Sequence, residues 1–179
     1  MNKTGSQEAI EERIAKLAYR SPVGDIELIA GEKGLLAVQF TDNALGIDVS
    51  NSFLLACKIQ LDEYFEGKRF TFDLPLDLRG TAFQKQVWLE LIRVPFGETV
   101  SYLHIAKKLG DPNATRAVGF ANGKNPFSIV VPCHRVIGVN GSLVGYAGGI
   151  EKKKWLLAFE RNFTKKDLFN SATNEAVHG

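Results

Sequence analysis

The feature that most constrains this chain is a change of hydrophobic period across the Pro- and Gly-containing stretch 74–80. Ahead of it, 15–20 and 24–30 alternate apolar and polar residues, the pattern of strands with one face buried. A Ser21-Pro22-Val23-Gly24 turn joins them, and 34–40 supplies a third apolar strand after Glu32-Lys33-Gly34, so an antiparallel meander is expected. Ser50 or Ser52 then caps a helix to about Glu66, with Cys57 on its apolar side, and 69–73 reads as a last strand. Behind the linker the spacing turns helical. Phe83, Val87, Trp88, Leu91 and Ile92 recur along 81–93, and Ser101 caps a second helix carrying Leu103, Ile105, Ala106 and Leu109. The turn Gly110-Asp111-Pro112-Asn113 leads into a third helix over 114–122, which makes a helix-turn-helix candidate. A final helix over 150–161 is expected to bury Trp155, Leu156, Leu157 and Phe159 and to expose Lys152, Lys153 and Lys154. The fold class is α+β, with an N-terminal domain over 1–78, a mainly helical domain over 79–163 and a polar, disordered tail over 164–179. At the start, 1–6 is expected to fray and 8–16 to hold at most a turn or two of helix.

Charge divides along the same line. Residues 1–79 hold 9 Lys+Arg against 13 Asp+Glu, whereas 80–163 hold 11 against 5, so the helical part is basic enough to face a polyanion. No apolar run reaches the roughly 18 to 20 residues that a membrane span needs, and the polar N-terminus lacks the pattern of a secretory signal, so a cytoplasmic location is expected. Two cysteines far apart, Cys57 and Cys133, read as free thiols in a reducing compartment.

The chemistry gathers at Val130-Val131-Pro132-Cys133-His134-Arg135-Val136-Ile137. Two β-branched residues followed by Pro suit a short buried strand that ends at the thiol, since Pro132 cannot donate to a sheet ladder. A cysteine can pack as a small hydrophobe, but cationic neighbours lower a thiol pKa from about 8.5 and favour the nucleophilic thiolate. Adjacent side chains diverge, so proton transfer between Cys133 and His134 needs a bend or a bridging water. Glu160 on the last helix is a candidate to orient His134, with a surface carboxylate as the plain alternative. The third helix is mostly small residues around Arg116, which suits either close protein packing or insertion into a nucleic-acid groove.

Pro132-Cys133-His134-Arg135-Val136 resembles the signature of the O6-alkylguanine-DNA alkyltransferases. Further segments occur in that family's order and spacing: Phe83 to Trp88, Pro95 to Tyr102, Arg116 to Gly119, Asn125-Pro126, Gly145 to Gly149 and Lys154 to Leu157. The resemblance implies a ribonuclease-H-like N-terminal domain and a winged-helix-like helix-turn-helix. It implies repair of DNA by direct reversal, with the O6-alkyl group of guanine, and that of O4-methylthymine, moved irreversibly to Cys133. In that scheme His134 and Glu160 form the water-relayed base and its orienting carboxylate, Tyr102 protonates the departing guanine, and Asn125 ties the helix-turn-helix to the reacting segment. Arg135 is structural, and Arg116 fills the gap left by the flipped nucleotide. Ser101, Tyr102, Thr115, Ala117 and Gly119 join Arg116 on the DNA side, and Tyr146, Ala147, Gly148 and Trp88 line the pocket. The partner implied is double-stranded DNA bound through the minor groove by a monomer, with no cofactor, no metal and no membrane. Ala147 stands where some relatives carry Ser, so a hydroxyl contact to the modified oxygen is not expected. Two other classes compete: a damage-recognition module without chemistry, against which the acceptor cysteine argues, and a cysteine hydrolase, which would turn over.

Overall fold

The computed structural model describes residues 12–44, 46 and 50–175, with side chains to residue 164. The frayed start and residues 8–11 of the helical turn weighed for 8–16 lie outside these residues; over 12–16 no helix forms, since 12–14 are irregular and a strand begins at Ala15. Strands β1 (Ala15–Ser21), β2 (Gly24–Ala30) and β3 (Leu35–Phe40) form the expected antiparallel meander. Its buried positions alternate, with Leu17, Tyr19, Ile26, Leu28 and Ala30 turned to one side. Helix α1 (Ser52–Phe65) packs that side with Leu54, Cys57, Leu61 and Tyr64. Its cap is neither Ser50 nor Ser52 but Asn51, whose side-chain oxygen accepts the Leu54 N–H at 3.1 Å.

The strand expected over 69–73 does not form. Gln60 occupies the backbone of Asp73 instead, donating to its carbonyl at 2.8 Å and accepting its N–H at 2.9 Å, which leaves no ladder to extend. Linker residues 75–77 lie along the start of β3, where Leu35 N–H donates to Pro75 and Asp77 N–H donates to Leu35.

Helix α2 (Ala82–Ile92) opens with a reciprocal capping box between Thr81 and Gln84. The short strand β4 (Val100–Ser101) leads into α3 (Tyr102–Lys108), capped by Ser101, and a single 3-10 turn at Pro112–Ala114 connects to α4 (Thr115–Gly123). Helices α2, α3 and α4 pack together, with Val118 and Ala121 of α4 in the core. The strand expected ahead of Cys133 is absent: 128–131 is turn, and Ile129 has a φ of 71°. Its apolar run is buried as irregular backbone, stitched to β3 where Val38 N–H donates to Pro126 and Ser128 N–H donates to Val38, both at 2.8 Å. A 3-10 turn carries Cys133–Arg135, and β5 (Val136–Ile137) pairs in parallel with β4.

Helix α5 (Ile150–Glu175) runs well beyond the end expected near 161, so the stretch taken for a disordered tail is helical to Glu175. Its inward stripe also differs from the expectation. Lys153, Leu156 and Glu160 are fully buried, whereas Trp155 is 36% exposed and stacks on Phe159 at 5.1 Å between centroids. Positions i, i+3 and i+7 share a helix face, so the core-facing stripe here passes through two charged residues. No helix among the described residues is long and apolar enough to cross a membrane.

Candidate active site

Cys133 is buried at the start of the 3-10 turn behind α4. Asn125 holds this segment: its amide donates to the Val131 carbonyl at 2.8 Å and to Phe127 at 3.4 Å, and its oxygen accepts the Phe127 N–H at 3.0 Å. A side chain just past the end of α4 thereby fixes the turn that presents the thiol.

Glu160 is the electrostatic centre of the site and is wholly buried. Its Oε1 accepts from His134 Nε2 at 2.7 Å, Tyr64 hydroxyl at 2.8 Å and Arg135 Nη2 at 2.9 Å; Oε2 accepts from Arg135 Nε at 2.9 Å and Gly97 N–H at 3.0 Å. An ionised carboxylate only accepts, so His134 carries its proton on Nε2 and leaves Nδ1 as the basic nitrogen. Nδ1 is buried with no protein partner. Burial pushes the His134 pKa down and Glu160 pulls it back, leaving it below its ordinary value. Glu160, despite its burial, is held well below the usual carboxylate range by His134 and Arg135. Arg135 completes its own set by donating to the Val94 carbonyl at 2.6 Å.

This arrangement overturns one expectation about the thiol. His134 is held towards its neutral form and Arg135 is spent on Glu160, so neither supplies the cationic field that their adjacency to Cys133 suggested. Burial pushes the Cys133 thiol above its ordinary pKa. Working against that are the Asn125 side chain, the Lys153 ammonium and the backbone N–H groups of Cys133 and His134. Cys57 is pushed up to about 12 by burial alone, which marks it as a packing residue.

Lys153 is the functional candidate that sequence reasoning misplaced. Its ammonium donates to the carbonyls of Val136 at 2.6 Å and Val144 at 3.0 Å, and burial pushes its pKa down to about 8. The i, i+3, i+7 stripe it shares with Leu156 and Glu160 was the available signal. Removing the charge in Lys153→Met is expected to move the alkaline rise of thiol reactivity to higher pH, because the ammonium is among the groups that hold the Cys133 thiol down. Rate measured from pH 6 to 10 tests this, and an unmoved profile contradicts it.

Tyr102 opens α3, is 8% exposed, and donates its hydroxyl to Val144 at 2.8 Å. Burial raises its pKa, with a smaller contribution from Cys133. Tyr146 is buried, 6.5 Å from the His134 ring between centroids. A cleft of about 310 Å³ opens beside Asn125, Ser128, Ala147 and Gly148, and Phe40 of β3 closes one side. Gly148 permits that closure: a Cβ there would come within 2.7 Å of the Phe40 ring and 2.8 Å of the Tyr146 ring. Neither Phe40 nor Tyr64, both from the N-terminal part, was singled out as a site residue from sequence.

Other expected positions are distributed unevenly. Arg116 and Ala117 are exposed on α4. Thr115 is half-buried, with its hydroxyl donating to Pro112 at 2.9 Å, and Ser101 uses its oxygen to cap α3 at His104 N–H. Gly119 is half-buried and backs onto Tyr102, whose ring a Cβ would meet at 3.8 Å. Trp88 is buried in the core of the helical part, where its indole donates to the Ala121 carbonyl at 2.9 Å, fixing α4 against α2. Asn122 is buried at 1% exposure with neither amide atom bonded to a protein group, a polar position that sequence reasoning passed over.

A buried cysteine backed by an imidazole and a carboxylate, on an α+β frame with a helix-turn-helix in front, defines a protein that brings a reactive thiol to a nucleic-acid-binding surface. Residues 14–78 match the family model described as the ribonuclease-like domain of 6-O-methylguanine DNA methyltransferase, and residues 82–162 match the model of its DNA binding domain. The methylated-DNA–protein-cysteine methyltransferase of Methanosarcina acetivorans is 47% identical over 148 residues, 79% of this chain and 95% of the relative. That of Mycobacterium leprae is 44% identical over 157 residues, 84% and 95%. Among solved structures, Mycobacterium tuberculosis O6-methylguanine methyltransferase superposes with a TM-score of 0.75 at 41% identity, covering 84% of this chain and 94% of that one. A second structure, Mycobacterium tuberculosis OGT in complex with DNA, gives 0.73 at 41% identity with 84% and 93% coverage. The chain belongs to the methylated-DNA–protein-cysteine methyltransferase family.

Proposed function

We propose that this protein repairs alkylated DNA by direct reversal, taking the O6-alkyl group of guanine, chiefly methyl, onto Sγ of Cys133. DNA is its partner, and the reaction is a methylated-DNA–protein-cysteine S-methyltransferase step. The observation that carries the reading is the placement of a buried thiol between Asn125 at the end of α4 and the His134–Glu160 pair. A base inside a duplex hides its O6 substituent from such a thiol, so the nucleotide leaves the stack, at a cost of a few kcal/mol. Arg116, exposed on α4, offsets that cost by filling the gap from the minor groove.

In the transfer, the Sγ–carbon bond forms as the carbon–O6 bond breaks. The thiol proton leaves through a water to His134 Nδ1, the one imidazole nitrogen free to take it, while Glu160 steadies the cation that results. Tyr102 gives a proton to the departing guanine and is reprotonated by the proton that His134 took up, passed back through water, so the net product is a neutral base and a thioether. Lys153 supports the thiolate through its charge. Each molecule acts once, because a thioether offers no leaving group to a second nucleophile at this site. The same pocket takes O4-methylthymine, and bulkier alkyl groups are admitted past Ala147. The reading assigns 79–163 the chemistry and 1–78 its support, through Tyr64 on Glu160, and it makes the acting species a cytoplasmic monomer.

The test is to incubate the protein with a duplex carrying one O6-methylguanine and to weigh the intact chain and its peptides. Loss of the lesion with one methyl group on the Cys133 peptide is the expected result. An unmodified mass overturns the reading, and many lesions removed per protein molecule would point to hydrolysis.

A further inference from the structure

Helix α4 carries a side chain that the scheme above does not use. Phe120 is 65% exposed, the most exposed aromatic residue among those described, where Phe70 is 40% and Trp155 36%. It follows Arg116 by four residues and precedes Lys124 by four, so the three side chains form one ridge along the outer face of the helix and its end. The Lys124 ammonium lies 5.5 Å from the centroid of the Phe120 ring. The inner side of the same helix is occupied by Val118, Ala121 and Asn122. Packing therefore does not explain the ring. Solvation does not favour it either, because a phenyl group left in water forgoes the stabilisation that its burial supplies.

We propose that Phe120 is a second DNA-contacting group, whose ring wedges into the groove against sugar and base edges beside the gap that Arg116 fills. This rests on the reading of α4 as the DNA-facing helix. Cations one turn to either side fit a polyanion and would be costly to bury against a neutral protein surface. Ala117 and Gly123 flank the ridge, and a Cβ at Gly123 would meet nothing within 4 Å, so the backbone can come close enough for the ring to reach base edges. Four residues advance about 6 Å along a helix, against about 3.4 Å per base step, which puts the ring within about two steps of the gap. Apolar wedges at such steps partly unstack them and hold a groove open. Arg116 then replaces the extruded base, and Phe120 keeps the neighbouring step from closing on it.

The experiment compares Phe120→Ala, Phe120→Trp and Arg116→Ala with the native protein in duplex affinity at several salt concentrations and in two repair rates, one on duplex O6-methylguanine and one on a free O6-alkylguanine base. For Phe120→Ala, duplex affinity is expected to fall about tenfold, the scale of one lost stacking contact. The ratio of duplex rate to free-base rate falls with it, and Phe120→Trp restores both. The slope of log affinity against log salt stays native in Phe120→Ala, because the ring carries no charge, whereas Arg116→Ala flattens it by about one. Native affinity and a native rate ratio in Phe120→Ala overturn the proposal, as does an equal fall in both rates accompanied by a lower melting temperature, which would mark a packing role. If the native protein itself takes up no methyl group from either substrate, the parent reading fails instead.

Discussion

Cys133→Ala is expected to abolish alkyl transfer while the folded protein still binds duplex. The side chain is buried and small, so its loss leaves a minor void and keeps the hydrogen bonds through which Asn125, His134, Arg135 and Glu160 hold the site. Cys57 cannot substitute. It is completely buried on α1 with its thiol pushed up to about 12, so at neutral pH it offers almost no thiolate. Single-turnover repair followed by peptide mass mapping provides the check. Residual methylation on any other residue of the variant at a rate within a hundredfold of the native protein would remove Cys133 from its place as acceptor, since an uncatalysed thiol elsewhere lacks the oriented base worth about 10² to 10⁴ in rate.

The second large effect belongs to Glu160→Gln. This change keeps the shape of the side chain and removes its charge, and that leaves the Arg135 guanidinium, 4% exposed, without a counter-ion. Breaking a buried pair from one side costs about 3 to 5 kcal/mol. Repair is expected to slow by about 10² or more, because His134 loses the charge that steadies its protonated form. Acid provides a separate signature. The folded-state pKa of Glu160 lies well below its ordinary 4.5, so its stabilising contribution is complete above that value and is lost as pH falls from there towards the folded-state value. Urea melts between pH 3 and 7 should therefore show a steep acid loss in the native protein that is shallower in Glu160→Gln. Equal acid slopes, or a variant as stable as the native chain at pH 7, would contradict this account of the carboxylate.

What the sequence made legible was whatever repeats or punctuates. The period-two strands, the Thr81 and Ser101 caps and the succession of α2, α3 and α4 follow from local patterning, and the structure has them. The stretch 128–131 misled because a β-branched run looks the same whether it enters a ladder or is buried as turn; the deciding partner, Asn125, acts through side-chain bonds that no period records. Lys153 misled for a related reason. Three consecutive lysines read as a solvated face, and only the stripe through Leu156 and Glu160 reveals that the middle one points inward. The helix beyond 164 was hidden by its polar composition. Glu160 could be named as a candidate partner of His134, but nothing local set it apart from a surface carboxylate; folding places it 2.7 Å from His134. Tyr64 and Phe40 had no local mark at all, because their bearing on the site exists only once β3 and α1 are laid against the helical part.

The Val144 carbonyl takes two donors at once, the Tyr102 hydroxyl and the Lys153 ammonium. Two side chains given parts in the proposed chemistry are thus engaged by the chain itself. Entry of a base is then an exchange and not an addition: hydrogen bonds to a peptide oxygen are surrendered, and the newcomer must return them, since a buried donor left unmet costs about 1 to 3 kcal/mol. Every base that leaves the duplex competes with the same internal standard. For a base that takes the Tyr102 proton as proposed, the Val144 carbonyl is thus a competing acceptor whose hydrogen bond it must match.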